Sequence, residues 1–282
     1  MPTPTPPDVR YATSPAELAA MSTAQLRETF LIPEVMVPGE VRLTYTHYDR
    51  FIAGGAVPTD RPLSLEAIAP LKADFFLERR ELGAINVGGG GTVTVDGEPH
   101  AVGNREAIYV GRGSREVTFA SDSPEEPARF YLNSAPAHAA YPTRTVSRDE
   151  AEVVEAGASE TSNKRTIRKL LVSSVVDVCQ LQMGMTELAP GSVWNTMPAH
   201  THDRRMEVYF YFGVPEGQAV CHFTGEPGET RHIWMANEQA VISPPWAVHS
   251  GAGTGSYSFI WGMAGENLDY GDMDTVAIPD LR

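Results

Sequence analysis

Apolar and polar side chains alternate with period two along most of this chain, starting with Val41-Arg42-Leu43-Thr44-Tyr45-Thr46, and that period predicts β-strands with one buried face. Ala84-Ile85-Asn86-Val87 continues the pattern, meets a turn of four glycines at Gly88 to Gly91, and returns as Thr92-Val93-Thr94-Val95 into the hairpin signal Asp96-Gly97. Short strands are expected at residues 107–110 and 116–120. A second block of strands follows at residues 179–188, 206–212, 219–224, 232–235, 240–242 and 257–263. Between the blocks Pro136, Pro142 and an acidic run (Asp149, Glu150, Glu152, Glu155) interrupt the alternation. Ahead of the first strand, Ser14-Pro15-Ala16-Glu17 and Ser22-Thr23-Ala24-Gln25 each place a capping Ser three residues before Glu or Gln, predicting two short helices that end before Pro33. The first dozen residues are Pro-rich and read as an extended arm. The expected organisation is an arm with short helices over residues 1–40, a β domain over 41–140, a linker over 141–162 and a second β domain over 163–282.

The two β blocks echo each other. Glu78-Arg79-Arg80-Glu81 parallels Asp203-Arg204-Arg205-Met206-Glu207, and Tyr109-Val110-Gly111-Arg112-Gly113 parallels Ser243-Pro244-Pro245-Trp246, which suggests a duplicated β-domain. In that alignment Phe75 and Leu77 stand where His200 and His202 stand, and Glu116 where His249 does. The first copy is therefore expected to bind no metal.

Composition narrows the partners. A formal net charge of -14 over 282 residues argues against phosphate-backbone or anionic-membrane binding, so an anionic ligand would need local cations such as Arg204-Arg205, Lys164-Arg165 or Arg231. No apolar run reaches the roughly 18 residues that span a bilayer, and Met1 to Pro7 lacks the apolar core of a signal peptide, so a cytoplasmic location is expected. Cys179 and Cys221 sit in no Cys-x-x-Cys motif and read as interior thiols. The four glycines are followed by no Gly-Lys-Ser/Thr and no helix start, so they read as a turn and not a phosphate cradle.

The chemistry gathers at His200-Thr201-His202-Asp203-Arg204-Arg205-Met206-Glu207. Histidines at i and i+2 share one side of a strand, whereas Glu207 has the opposite parity to His202, so the chain must bend at Asp203-Arg204-Arg205 to bring the carboxylate round. After the bend Glu207, Tyr209 and Tyr211 share a face. His249, after Pro244-Pro245-Trp246-Ala247-Val248, could supply a fourth ligand from a turn. Three imidazoles and a carboxylate suit zinc, iron, manganese or nickel and leave coordination positions open.

This arrangement resembles the two cupin motifs. Gly191, His200, His202, Glu207 and Gly213 supply the first with a lengthened Gly191 to His200 gap; Pro244 and His249 supply the second, with Trp246 in place of the usual Gly. Phe76 to Gly83, Thr186 to Gly191, Trp194 to Pro198, Glu207 to Phe212 and Phe259 to Met263 closely resemble the 5-keto-4-deoxyuronate isomerase family, and the likeness runs from about Leu26 onward. The resemblance implies a mainly β chain of two cupin-like β-barrel (jelly-roll) domains and a cytoplasmic zinc enzyme of pectin and uronate catabolism. It implies one Zn2+ per chain on His200, His202, Glu207 and His249, and a homo-oligomer, a hexamer. The implied reaction converts 5-dehydro-4-deoxy-D-glucuronate, a small anionic sugar acid, to 3-deoxy-D-glycero-2,5-hexodiulosonate.

A hydrogen moving between C2 and C1 through a metal-held enediolate needs a proton carrier. Glu187 and Tyr209 are the candidates, Glu187 reading also as a surface carboxylate and Tyr209 as core packing. Arg165 and Arg204 could fork onto the substrate carboxylate, or form solvated pairs instead. His47, His100, His138, His222 and His232 read as structural. The competing readings are a metal-dependent dioxygenase on the same ligands and a non-catalytic sugar-acid-binding module.

Overall fold

Both capping boxes form. In the computed structural model, which describes residues 8–266 and 268–282, Ser14 caps the helix Pro15–Ala20 and Ser22 caps Thr23–Phe30, each with its reciprocal Glu17 or Gln25 bond. Helices this short do not stand alone in water, so their stability has to come from packing. Leu18, Leu26 and Phe30 are buried, and Arg231 donates to the carbonyls of Ala19 at 2.7 Å and Met21 at 2.6 Å. The helices thus join the C-terminal β unit instead of forming a separate N-terminal segment, and Leu31–Ile32 continues them as an edge strand on Gln239–Ser243. For residues 1–7 the expected arm lies outside the described residues. Asp8–Arg10 is a strand, parallel to Val41–Thr46.

The chain divides into two units, one centred on Val35–Ser147 and one joining Ala12–Glu34 to Arg148–Arg282. Each has a seven-stranded and a four-stranded sheet. In the first unit the central run of the larger sheet is Val41–Thr46, Ile52–Ala56, Phe130–Pro136, Arg80–Asn86 and Ala107–Val110. In the second it is Arg165–Leu171, Gln182–Leu188, Ser258–Gly265, Arg205–Phe212 and Gln239–Ser243, in the same relative chain order. The internal echo in the sequence is therefore a repeated topology. Phe119, Phe130, Val93 and Ile108 are fully buried in the first unit's core; Phe210, Ile260, Met185 and Val220 are fully buried in the second.

Two expectations change. The segment expected as a linker carries Arg144–Val146, paired with Ala107–Val110 in one unit, and Glu152–Ala156, paired with Arg165–Leu171 in the other. Its acidic side chains suit this place, because an edge strand studded with charge satisfies its backbone on one side and resists pairing on the other. The four-glycine turn passes from Arg80–Asn86 in the larger sheet to Gly91–Val95 in the smaller, so it switches sheets and closes no hairpin. A Cβ on Gly88 or Gly89 would overlap the carbonyl oxygens of Pro127 and Glu126, which is why side chains are excluded there. The hairpin is the next one, Gly91–Val95 to Glu98–Val102, turned by Asp96 and Gly97 at φ 49° and 87°. Among the described residues no helix is long and apolar enough to cross a membrane.

Candidate metal centre

His200 lies on the two-residue strand His200–Thr201, held against Asp274–Thr275. The chain then bends at residues 203–204 and re-enters the sheet as Arg205–Phe212, between Gln239–Ser243 and Ser258–Gly265. That bend brings Glu207 back beneath the imidazoles, as the parity of the sequence requires. His249 arrives from the turn after Gln239–Ser243, one residue before Ser250–Gly253. The imidazole nitrogens of His200, His202 and His249 and a carboxylate oxygen of Glu207 all lie within 4.8 Å of one another. The His249 Nε2 is 2.9 Å from both the His200 Nε2 and the Glu207 Oε2, and the His202 Nε2 is 3.3 Å from that same oxygen.

Neighbouring groups set which nitrogens face inward. The His202 Nδ1–H donates to the Asp272 carbonyl at 2.6 Å and the His249 Nδ1–H to the Ala247 carbonyl at 3.3 Å. In both rings Nε2 is therefore the nitrogen directed at the common centre. Ring orientation by a backbone carbonyl behind the ligand is how metal-binding histidines are usually held. Burial, followed by the nearby His249, pushes the His200 imidazole down to about 2, so it stays neutral. Burial works to raise the Glu207 carboxyl, but the charge and hydrogen bonds of His249 and His202 outweigh it and hold the group well below the usual carboxylate range. A buried carboxylate that depends on the charge of its imidazole neighbours is one that a bound cation would stabilise in their place. Three nitrogens and one oxygen match the donor set of a single divalent ion, and the cluster could hold one.

The four groups sit in a cavity of about 300 Å³ in the second unit. Tyr209 and Arg165 both line it. The Tyr209 hydroxyl is 3.0 Å from the Thr196 Oγ1, and burial, then the Glu207 charge, pushes its pKa well above 10. Arg165 donates to the Asn163 carbonyl at 2.8 Å, and burial lowers its pKa. The structure does not bring Glu187 or Arg204 to this wall. Thr186 lines the cavity, so the next residue along the strand points to the other face, where Glu187 pairs with Arg168 at 3.0 Å and Arg148 at 3.3 Å. Arg204 is half exposed, 3.6 Å from Asp272.

Arg205, expected as part of the bend and as a local cation for an anionic ligand, is instead a clamp on the protein's own backbone. This side chain is 1% exposed and donates to the carbonyls of Asp269 at 2.6 Å, Tyr270 at 3.0 Å and Asp272 at 3.1 Å. It clamps the segment that supplies Asp272 to His202 and Tyr270 to the cavity wall. A signal of its inward placement existed, since Arg205 shares the parity of Glu207 and Tyr209 and Arg204 does not. His222, expected to be structural, is buried and bonded to the Tyr211 hydroxyl at 2.8 Å. His232 is exposed, and Cys221 is half-buried where Cys179 is buried.

A family model described as the KduI/IolB family matches residues 31–278. The chain belongs to the KduI/IolB family. Among relatives in it, the "4-deoxy-L-threo-5-hexosulose-uronate ketol-isomerase" of Formosa agariphila is 62% identical over 273 residues, 97% of this chain and 98% of the relative. A solved IolB-like protein from Salmonella typhimurium superposes with a TM-score of 0.73 at 17% identity, covering 88% of this chain and 96% of that one. An oxalate decarboxylase from Lactobacillus farciminis superposes with a TM-score of 0.57 at 13% identity, covering 87% and 86%. These likenesses place the mainly β architecture of this KduI/IolB member among the cupin-like folds.

Proposed function

We propose that this chain is a ketol-isomerase converting 5-dehydro-4-deoxy-D-glucuronate to 3-deoxy-D-glycero-2,5-hexodiulosonate in cytoplasmic uronate catabolism, with one zinc ion held by His200, His202, Glu207 and His249. The observation that carries the reading is the 62% identity, over almost the whole of both chains, to a protein named for that ketol-isomerase activity. The His/His/Glu/His cluster gives the reading a chemical centre.

When bound, a divalent ion there supplies Lewis acidity toward the C1 carbonyl and C2 hydroxyl oxygens of the open-chain sugar. Arg165, on the cavity wall, presents its remaining guanidinium donors to the sugar carboxylate. Tyr209 stays protonated at working pH, so it donates to a substrate oxygen and passes a proton along; it does not act as a resting base. Its bond to Thr196 aims the hydroxyl. Phe259 and Trp261 give the same cavity an apolar wall that limits water around the migrating proton.

The test is conversion of freshly lyase-generated unsaturated uronate by purified protein of known metal content, run in deuterium oxide with an oxygen electrode in place. Isomerisation, solvent deuterium at C1 and no oxygen uptake are expected. Metal-replete protein that leaves the sugar unchanged, or that consumes oxygen with it, would overturn the proposal. Full retention of the C2 hydrogen would replace the proton carrier with a hydride shift.

A further inference from the structure

Arg80 opens the central strand of the first unit at the register that Arg205 holds in the second. Arg80 faces Pro136 across Phe130–Pro136, as Arg205 faces Gly265 across Ser258–Gly265. Two residues further on, Leu82 stands where Glu207 stands. The first unit has therefore kept the buried cation and lost the carboxylate.

The Arg80 side chain is 5% exposed, and every acceptor it reaches is neutral. Nε donates to the Ser134 hydroxyl at 3.1 Å, and Nη2 donates to the carbonyls of Arg50 at 2.7 Å and Ser134 at 2.8 Å. Among the described residues no acceptor meets Nη1 and no carboxylate pairs with the guanidinium, yet Nη1 is not sealed from solvent. Glu81 lies on the opposite face of the strand, where the Tyr109 hydroxyl donates to it at 2.9 Å. Burial pushes Arg80 down to about 10, which still leaves it charged at neutral pH. The Glu81 charge acts on it only from across the strand; a buried charge with no contacting carboxylate is costly, and an anion is what would relieve it.

The opening beside Arg80 is a cavity of about 230 Å³, also lined by Arg50, Tyr45, Leu71, Phe76 and Pro136. Arg50 is exposed, and it too has no carboxylate partner among the described residues. It is presented by a turn in which Asp49 and Arg50 both take left-handed backbone, φ 46° and 53°, a conformation that side-chain-bearing residues seldom adopt. Arg79 also borders the cavity but is already neutralised by Glu78 at 2.6 Å, so it is not counted. Two cations converging on one opening in a chain of net charge -14 run against the overall field, which makes the attraction local. The apolar walls would be left unfilled by an inorganic ion, and the volume is below that of drug-sized sites.

We infer that the first unit carries a second ligand site, in which Arg80 and Arg50 take the carboxylate of a small organic acid whose carbon skeleton lies against Tyr45, Phe76 and Leu71. The site stands independently of the isomerase reading, because none of its residues belongs to the metal cavity.

Equilibrium dialysis of the full-length, metal-loaded protein against radiolabelled D-galacturonate in low-chloride buffer tests it, with D-galactose as the uncharged control. Saturable binding of the acid and none of the neutral sugar is expected. Arg50→Ala should weaken that binding at least about tenfold, the loss of one charge-assisted contact, with metal content unchanged. Arg80→Gln should abolish it if that variant folds; Arg50 is exposed, so its variant decides the matter alone if Arg80→Gln does not. Absence of saturable binding in the millimolar range, or equal affinity in the wild type and Arg50→Ala, would overturn the inference.

Discussion

Replacing Arg205 by methionine removes three carbonyl contacts at once while leaving an unbranched side chain of similar reach in the core. The lost bonds are those to Asp269, Tyr270 and Asp272 at 2.6, 3.0 and 3.1 Å. A hydrogen bond to a charged group is worth roughly 1.5–3 kcal/mol, but the three act on one segment and removing the buried charge returns part of its desolvation cost, so the net loss of stability is about 2–4 kcal/mol. The more informative effect falls on the metal. Asp272, freed from the clamp, no longer fixes the Nδ1–H of His202, and loss of such an orienting partner weakens metal binding roughly 10- to 100-fold. Arg205→Lys keeps the charge without the fork and should fall between the two. Urea denaturation of the metal-free proteins and competition of zinc against a chromophoric chelator give the two numbers separately. A folded Arg205→Met protein that holds zinc as tightly as wild type would refute the reasoning, since the clamp would then not reach the ligand.

Tyr209→Phe preserves the packing and strands only the Thr196 hydroxyl, so it should cost about 1 kcal/mol of stability while lowering kcat roughly 10²- to 10⁴-fold; unchanged kcat would return Tyr209 to a packing role. Glu187→Gln breaks the pairs with Arg168 and Arg148 outside the cavity, costing about 0–1 kcal/mol with turnover near wild type, and a tenfold fall in kcat would contradict its placement. The metal-free protein should lose stability as pH falls. Burial holds His200 and His222 down to about 2 and about 3 in the folded state. Below the unfolded value of about 6.5 the unfolded chain binds more protons, so each group contributes a slope of up to roughly 1.4 kcal/mol per pH unit in that window. Urea titrations between about pH 4 and pH 7 would show it, and a His222→Gln variant with an equally steep profile would remove His222 as a source.

Much of the centre is legible because side-chain parity in a strand is arithmetic. His200 and His202 two apart, and Glu207 out of phase with them, require the bend found at residues 203–204. The same arithmetic, carried one residue further, separates Arg205, facing in with Glu207, from Arg204, facing out. Glu187 could not be placed that way, because the side of Gln182–Leu188 that meets the cavity depends on pairing with Ser258–Gly265, seventy residues downstream. The wall formed by Tyr270 and Asp272 has no local signature either; it is held by hydrogen bonds to Arg205 and His202 more than sixty residues earlier. The capped helices were read correctly as helices, but the unit they join depends on Arg231 meeting the end of the first one. The four glycines signal a turn in any fold, and only the close approach of Pro127 and Glu126 explains why a side chain is excluded there.

Metal content set against turnover probes the central claim most directly. Protein dialysed against chelator and reloaded stepwise with zinc should regain isomerase activity in proportion to bound metal, reaching its maximum at one ion per chain. His249→Ala, which removes the nitrogen 2.9 Å from both His200 and Glu207, should lose the metal and the activity together. Full turnover by metal-free wild type, or by a His249→Ala protein that binds none, would contradict the account.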